Sequence, residues 1–151
     1  MTHLSVTFEN AISLLGILLS ITAILFTAYT VSRNTKVSRA QFWLNLRDRF
    51  SAFDDVHLKL RPGGAWSTNG KGPEKTEDWI RVEAYMGLFE HCNIMLNEGL
   101  IDEKTFGKIY AYRLKNIIGN PDIADAKLRH TERRKYWKDF IALLDRFKIG
   151  Y

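Results

Sequence analysis

Hydrophobic and polar positions divide this chain sharply near residue 32. From Ala11 to Val31 there is no charged residue for 21 positions, and 11 of those positions are Leu, Ile, Phe or Val. At about 1.5 Å per residue, a helix of that length measures roughly 31 Å, close to the ~30 Å hydrocarbon core of a bilayer. Each large apolar residue favours insertion by roughly 0.3 to 0.6 kcal/mol, and no charge opposes it with the roughly 2.5 to 3.5 kcal/mol of a central Asp, Lys or Arg. A buried helix of a soluble domain seldom runs this long without a polar face. A cleaved signal would begin with basic residues, whereas "MTHLSVTFEN" has neither Lys nor Arg. The pattern therefore predicts a transmembrane helix over 11–32, preceded by a short extracytoplasmic segment, 1–10.

Beyond Arg33 the period becomes amphipathic. Trp43, Leu46, Phe50, Phe53, His57 and Leu60 recur at spacings of three and four, with no Pro or Gly before Arg61-Pro62-Gly63-Gly64, so the membrane helix is expected to run on into an amphipathic one. Residues 61–75 read as a flexible loop with Trp66 tucked back. A second helix is expected from Thr76, an N-cap, to Asn97, with Gly99 as its C-terminal cap and Leu100 folding back behind it. Asp102 should cap a third helix from Glu103 to Ile118, closed by Gly119 and Pro121. The piece from Pro121 to His130 reads as a short helix or connector. A last helix spans Thr131 to Lys148, with Trp137, Phe140, Ile141, Leu144 and Phe147 on one face. No period-2 run of β-branched residues occurs. The predicted fold is all-α: one transmembrane helix continuing into a cytosolic bundle, 33–151, of about four helices.

Charge sets orientation. The 22 Lys and Arg against 17 Asp and Glu leave +5, and Glu9 is the sole Asp, Glu, Lys or Arg before Arg33. The remainder thus carries 22 minus 16, or +6. Membrane-proximal Arg33, Lys36 and Arg39, followed by Arg47 and Arg49, place the larger part on the cytoplasmic side of the inner membrane and the N-terminus outside. The single Cys92 excludes an internal disulfide framework.

Within the apolar run, Ser13, Gly16, Ser20, Ala23, Thr27 and Thr30 are spaced 3, 4, 3, 4 and 3, one stripe of a helix. Small residues let two backbones approach in lipid, and hydroxyls can bond across the contact, so this stripe is a candidate helix–helix seam for a homo-oligomer. The second candidate surface is "KLRHTERRKYWK", with Lys127, Arg129, Arg133, Arg134, Lys135 and Lys138 interleaved by Tyr136 and Trp137. It could meet anionic lipid headgroups or, less readily, nucleic acid. A solvated face is the bland alternative, since Trp137 belongs to the apolar stripe and Glu132 and Asp139 dilute the charge.

Motifs for chemistry are missing. "GGAWSTNGKG" departs from a phosphate loop, because Gly64 to Gly70 is six steps rather than five and Gly72 follows Lys71. Adjacent His91 and Cys92 point about 100° apart on a helix and cannot share a metal unaided. Helical ribonucleases of the HEPN type place His four to six residues after Arg, but Arg49 to His57 and Arg81 to His91 are wider. Glu83 and Glu90, seven apart, share a face and suit structural pairing with a basic residue. No catalytic residue, metal or cofactor is assigned.

The order of apolar span, basic junction and amphipathic helix, then "YMGLFEHCNIMLNEGLIDEKTFGKIY" and "YWKDFIALL", resembles a family of short bacterial and phage proteins with one membrane helix and a helical domain of unknown function. Leu88, Phe89 and Glu90, then Gly99, Leu100, Ile101 and Asp102, hold that family's loose Leu-x-Phe-Glu and Gly-[Leu/Ile]-[Ile/Leu]-Asp positions. The likeness implies the topology and no activity. The expected function is a single-pass membrane protein whose helical part recruits or senses a protein partner. The alternative is a membrane-tethered effector that acts on nucleic acid or perturbs the membrane as an oligomer, as in phage defence.

Overall fold

The computed structural model describes the backbone of residues 2–68 and 70–151, and side chains from Leu19 onward apart from Asn69. Two compact units divide the chain, Met1–Arg47 and Asp48–Tyr151. Every regular element among the described residues is helical: α1 (Thr2–Ser51), α2 (Asp54–Leu60), α3 (Thr76–Asn97), α4 (Glu103–Gly119), α5 (Pro121–Ala124), a π-helical turn (Asp125–Arg129), α6 (Thr131–Arg134) and α7 (Lys138–Arg146). The all-α expectation holds, with seven α-helical pieces among these residues where about four were expected.

Helix α1 runs without interruption through the change of composition at residue 32, as expected from a stretch lacking Gly and Pro between Gly16 and Pro62. It ends where Phe53 leaves the helical region (φ −116°, ψ 19°), after Phe53 N–H bonds the Phe50 carbonyl at 3.1 Å. The amphipathic continuation expected to run as far as Leu60 is thus broken at Ala52–Phe53. Asp54 and Asp55 occupy the first turn of α2, where negative charge suits the helix dipole. Val56 and Leu60 bury the inner side of α2, and Val56 was absent from the predicted stripe.

The core of the second unit is aromatic. Phe50, 1% exposed, stacks on Tyr110 with centroids 4.0 Å apart and meets Phe89 at 5.0 Å and Tyr85 at 6.2 Å. Phe89 in turn meets Phe106 and Phe140, so its ring links α3, α4 and α7. Offset and edge-on pairs of this kind add about 0.5 to 1.5 kcal/mol each beyond the area they bury. Cys92 lies fully buried on the same face of α3, and burial pushes its thiol up to about 12.

Helix ends follow local chemistry. Helix α3 begins at Thr76 with Lys75 as its N-cap, one residue before the predicted position. Its C-terminus closes with Gly99 at φ +69°, the left-handed conformation glycine adopts without steric cost. Gly99 N–H donates to Leu96 and Leu100 N–H to Met95, the paired bonds of a Schellman motif. The Leu100 side chain stays 60% exposed, and Ile101 takes the buried position instead. Asp102 caps α4 by accepting from Thr105 N–H at 2.7 Å. Gly107 permits a close approach, since a Cβ there would sit 2.8 Å from the Phe147 ring.

The predicted helix from Thr131 to Lys148 is two helices. Tyr136 and Trp137 N–H groups bond Arg133 and Arg134 carbonyls in tight i to i−3 turns, and Trp137 (φ −115°, ψ 35°) then caps α7. The break lets α7 bury Leu143 as well as Phe140, Ile141 and Leu144, while Trp137 stays half-buried, edge-on to Phe140.

Among its described residues the connector over 61–75 is non-helical, and it is fastened at several points. Trp66 is buried, its N–H bonds Lys59 carbonyl at 2.7 Å, and the Lys59 amine lies 4.2 Å from its ring centroid. Buried Asn120 donates to Trp66 carbonyl at 3.2 Å and accepts from Ile123 N–H at 3.0 Å, while Gly72 N–H donates to Asp122 at 2.6 Å.

Truncating Phe50→Ala should cost about 3–5 kcal/mol of unfolding free energy, the range for emptying a buried aromatic site. Leu58→Ala, at a half-exposed position of α2, should cost less than about 0.5 kcal/mol. Equilibrium denaturation of both variants in neutral detergent checks the contrast.

Candidate functional site

On α1, Leu19, Ile21, Ile24, Leu25, Phe26, Tyr29 and Val31 are all exposed. At about 100° per residue they spread over some 240° of the helix circumference, so this stretch is apolar on most sides rather than on one stripe. Ser20, Ala23, Thr27 and Thr30 fill the remaining sector. Thr27 and Thr30 hydroxyls donate to Ala23 and Phe26 carbonyls, each at 2.9 Å, within their own helix. Thr27 and Thr30 would therefore enter a contact through this stripe by close packing and hydroxyl lone pairs rather than donated hydroxyl protons. Ser13 and Gly16 lie outside the residues whose side chains are described. So do positions 11–18 of the expected span. Among the described residues no helix is long and apolar enough to cross a membrane. Arg33, Lys36 and Arg39 follow, all exposed.

The basic run is less uniformly available than its sequence suggests. Lys127, mostly covered, pairs with Glu83 and lies 4.9 Å from the Trp79 ring centroid. Arg129 pairs with Asp125 one turn earlier. Arg133 donates to Ala126 carbonyl at 3.2 Å, and Lys135 pairs with Glu132 at 3.1 Å. Arg134 donates to the Tyr151 hydroxyl at 2.8 Å and lies over its ring, a neutral partner that leaves the guanidinium charge in place. Thr131, Arg134, Lys135, Lys138 and Ile141 line an open hollow of about 350 Å³. Three of the six predicted basic residues are thereby brought together. Lys127 and Arg129 are tied to carboxylates, and Arg133 does not line the hollow.

Glu83 finds the basic partner expected of it, but Glu90 does not. Glu90 accepts from Phe140 N–H at 3.4 Å in the first turn of α7, and burial with Asp139 nearby raises its pKa above the ordinary carboxylate value despite that bond. Buried Asn93 donates to Asp139 at 3.0 Å beside it.

A cluster not foreseen from sequence holds the α1–α2 joint. Arg81 from α3 donates to Ala52 carbonyl at 2.7 Å, pairs with Asp55 and lies 5.0 Å from the Phe53 ring centroid. Arg113 from α4 reaches Asp54 at 3.4 Å and the Tyr85 hydroxyl at 3.5 Å, bonds the Tyr112 hydroxyl at 3.2 Å, and lies 5.7 Å from the Phe50 ring centroid. Arg81 thereby satisfies a carbonyl left open at the α1 C-terminus. Sequence reasoning could have noted Asp54-Asp55 as helix-start residues, but nothing in the spacing linked them to arginines 26 and 59 positions away.

His57 sits edge-on to Tyr112 at 5.4 Å, with Nδ1 buried and without a hydrogen-bond partner among the described residues. Burial and the Arg113 charge lower its pKa, Arg61 adds to this, and Asp54 opposes it. Among the described residues no group of His, Cys, Asp or Glu could hold a metal ion. The cluster reads as a structural joint with a half-buried imidazole at its edge.

Comparison of the chain with protein-family models, curated proteins and solved structures gave no match.

Because His57 is neutral-favouring in the folded state, its contribution to stability is complete above the unfolded value of about 6.5 and is lost as pH falls through the lower folded value. Thermal unfolding should show the wild-type chain losing more stability between pH 7 and pH 5 than His57→Phe, which keeps the ring contact and cannot charge. Equal losses in the two proteins would remove His57 as the cause.

Proposed function

We propose that this chain is a single-pass membrane protein of the inner membrane, with its N-terminus outside and its helical unit on the cytoplasmic side as an interaction or sensing module. The observation that carries the reading is the nearly continuous apolar surface of α1 between Leu19 and Val31, exposed on most sides and followed at once by exposed Arg33, Lys36 and Arg39. In water such a helix would leave seven large apolar side chains uncovered, at a cost of roughly 25 cal/mol per Å². In lipid they are solvated, and the cations meet headgroups. The described stretch accounts for thirteen residues, about 20 Å of helix, and the uncharged sequence from Ala11 to Leu18 supplies the rest of the length. The sector of small residues supports a second part of the reading, self-association of this helix by close backbone approach.

Alkaline carbonate extraction should leave the chain in the membrane pellet, and protease added to the outer face of the inner membrane should leave a C-terminal tag intact. Release into the supernatant would sink the membrane reading. For self-association, Ala23→Leu combined with Thr27→Leu should abolish crosslinked oligomers in native membranes, and an unchanged ladder would remove the seam.

A further inference from the structure

The hollow beside α6 has a composition that selects a ligand class. We infer that it binds a phosphate group carried on an apolar body, with Arg134 and Lys138 contacting the phosphate and Ile141 with the aliphatic stems of the basic residues receiving the apolar part. Three cationic side chains line a space of about 350 Å³, at the lower end of small-molecule sites. A solvated basic face would differ in that its cations would point apart into water rather than line one hollow.

Here the charges do not cancel locally. Lys135 is matched by Glu132. Arg134 is held by a phenol hydroxyl, which orients the guanidinium without neutralising it. Lys138 makes no hydrogen bond or ion pair among the described residues, while neighbouring Asp139 is bonded to Asn93 and Glu90 to the Phe140 amide. Neither Arg134 nor Lys138 is therefore ion-paired among the described residues, and both remain available to an anion over the hollow. An arginine fork and a nearby ammonium suit a phosphate, since the fork donates to two of its oxygens and the ammonium supplies a point charge. Tyr151 fixes the fork from below, its ring 5.5 Å from the guanidinium carbon, so less side-chain freedom is lost on binding.

The body of the ligand follows from the walls. Ile141 and the methylene stems of three long side chains present carbon to the interior, a surface that inorganic phosphate would leave wet and an acyl or similar apolar group would cover. Tyr136 lies exposed nearby, with the Lys135 amine 5.3 Å from its ring centroid. The site belongs wholly to the second unit, so it stands or falls independently of the membrane span.

The test uses the full chain in neutral detergent with isotope-labelled isoleucine methyls, titrated with dihexanoyl phosphatidic acid and, separately, with inorganic phosphate. Dihexanoyl phosphatidylcholine controls for partition into micelles, and a single-stranded RNA oligonucleotide competes. The Ile141 methyl signal should shift with phosphatidic acid, at least tenfold more weakly with inorganic phosphate, and not with phosphatidylcholine. Arg134→Gln with Lys138→Gln should weaken the phosphatidic acid response at least tenfold, whereas Arg129→Gln, outside the hollow, should leave it unchanged. Should the double variant fail to fold, Lys138→Gln alone carries the test with a loss of about threefold. No Ile141 shift, equal affinity for inorganic phosphate, displacement by RNA at lower concentration than the lipid, or insensitivity to the substitutions would each overturn the proposal.

Discussion

The stacking of Phe50 on Tyr110 is the contact on which the second unit is organised. Phe50 belongs to the final turn of α1, Tyr110 to α4, and the rings of Tyr85 and Phe89 close on Phe50 from α3. Three helices thus meet at one side chain that is almost wholly buried. Because interiors are packed as densely as organic crystals, a ring held on several sides fixes the rotation of each helix that supplies a neighbour. Phe89 then passes that order on to Phe106 and Phe140. Rotation of α3 about its axis would have to break every pair made by Tyr85 and Phe89 at once.

Around this core, arginine is used as a fastener more than as surface charge. Arg81 and Arg113 spend their donors on a helix-end carbonyl, two phenols and two aspartates. Their partners are partly exposed, so each ion pair contributes little by itself, in the range of about 0–1 kcal/mol. Their value lies in geometry: the planar guanidinium can lie over Phe53 or Phe50 while its edge bonds the joint. The same economy thins the basic run, where Lys127 and Arg129 are matched by Glu83 and Asp125 and three other cations converge on one hollow.

Local signals were legible in the sequence because they act within a few residues. Asp102 before Glu103, Gly99 after Asn97 and the Pro62-Gly63-Gly64 stop each describe a bond or a dihedral that the neighbouring backbone decides. The α3 and α4 boundaries followed to within a residue. The two interrupted helices did not, since neither Ala52–Phe53 nor Lys135–Trp137 contains a helix breaker. Both breaks let the following helix present a different face: Val56 enters the core in one case and Leu143 in the other. That is a tertiary preference overriding helical propensity. Site residues divided in the same way. The clustering of Arg134, Lys135 and Lys138 followed from their nearness in sequence, although the sequence alone could not distinguish them from Lys127, whose neutraliser comes from 44 positions away. Arg81 and Arg113 were unreadable because their partners are set by chain topology.

Cys92 carries a practical meaning of a different kind. It is the chain's one cysteine, it is sealed in the core, and its thiol is held in the protonated, unreactive form at neutral pH. A maleimide added to the folded protein will find nothing to modify until α3 parts from its neighbours, so the rate of alkylation becomes a clock for that opening. Conversely, a cysteine engineered anywhere on the surface can be tagged with a spin label or fluorophore without first removing the native one.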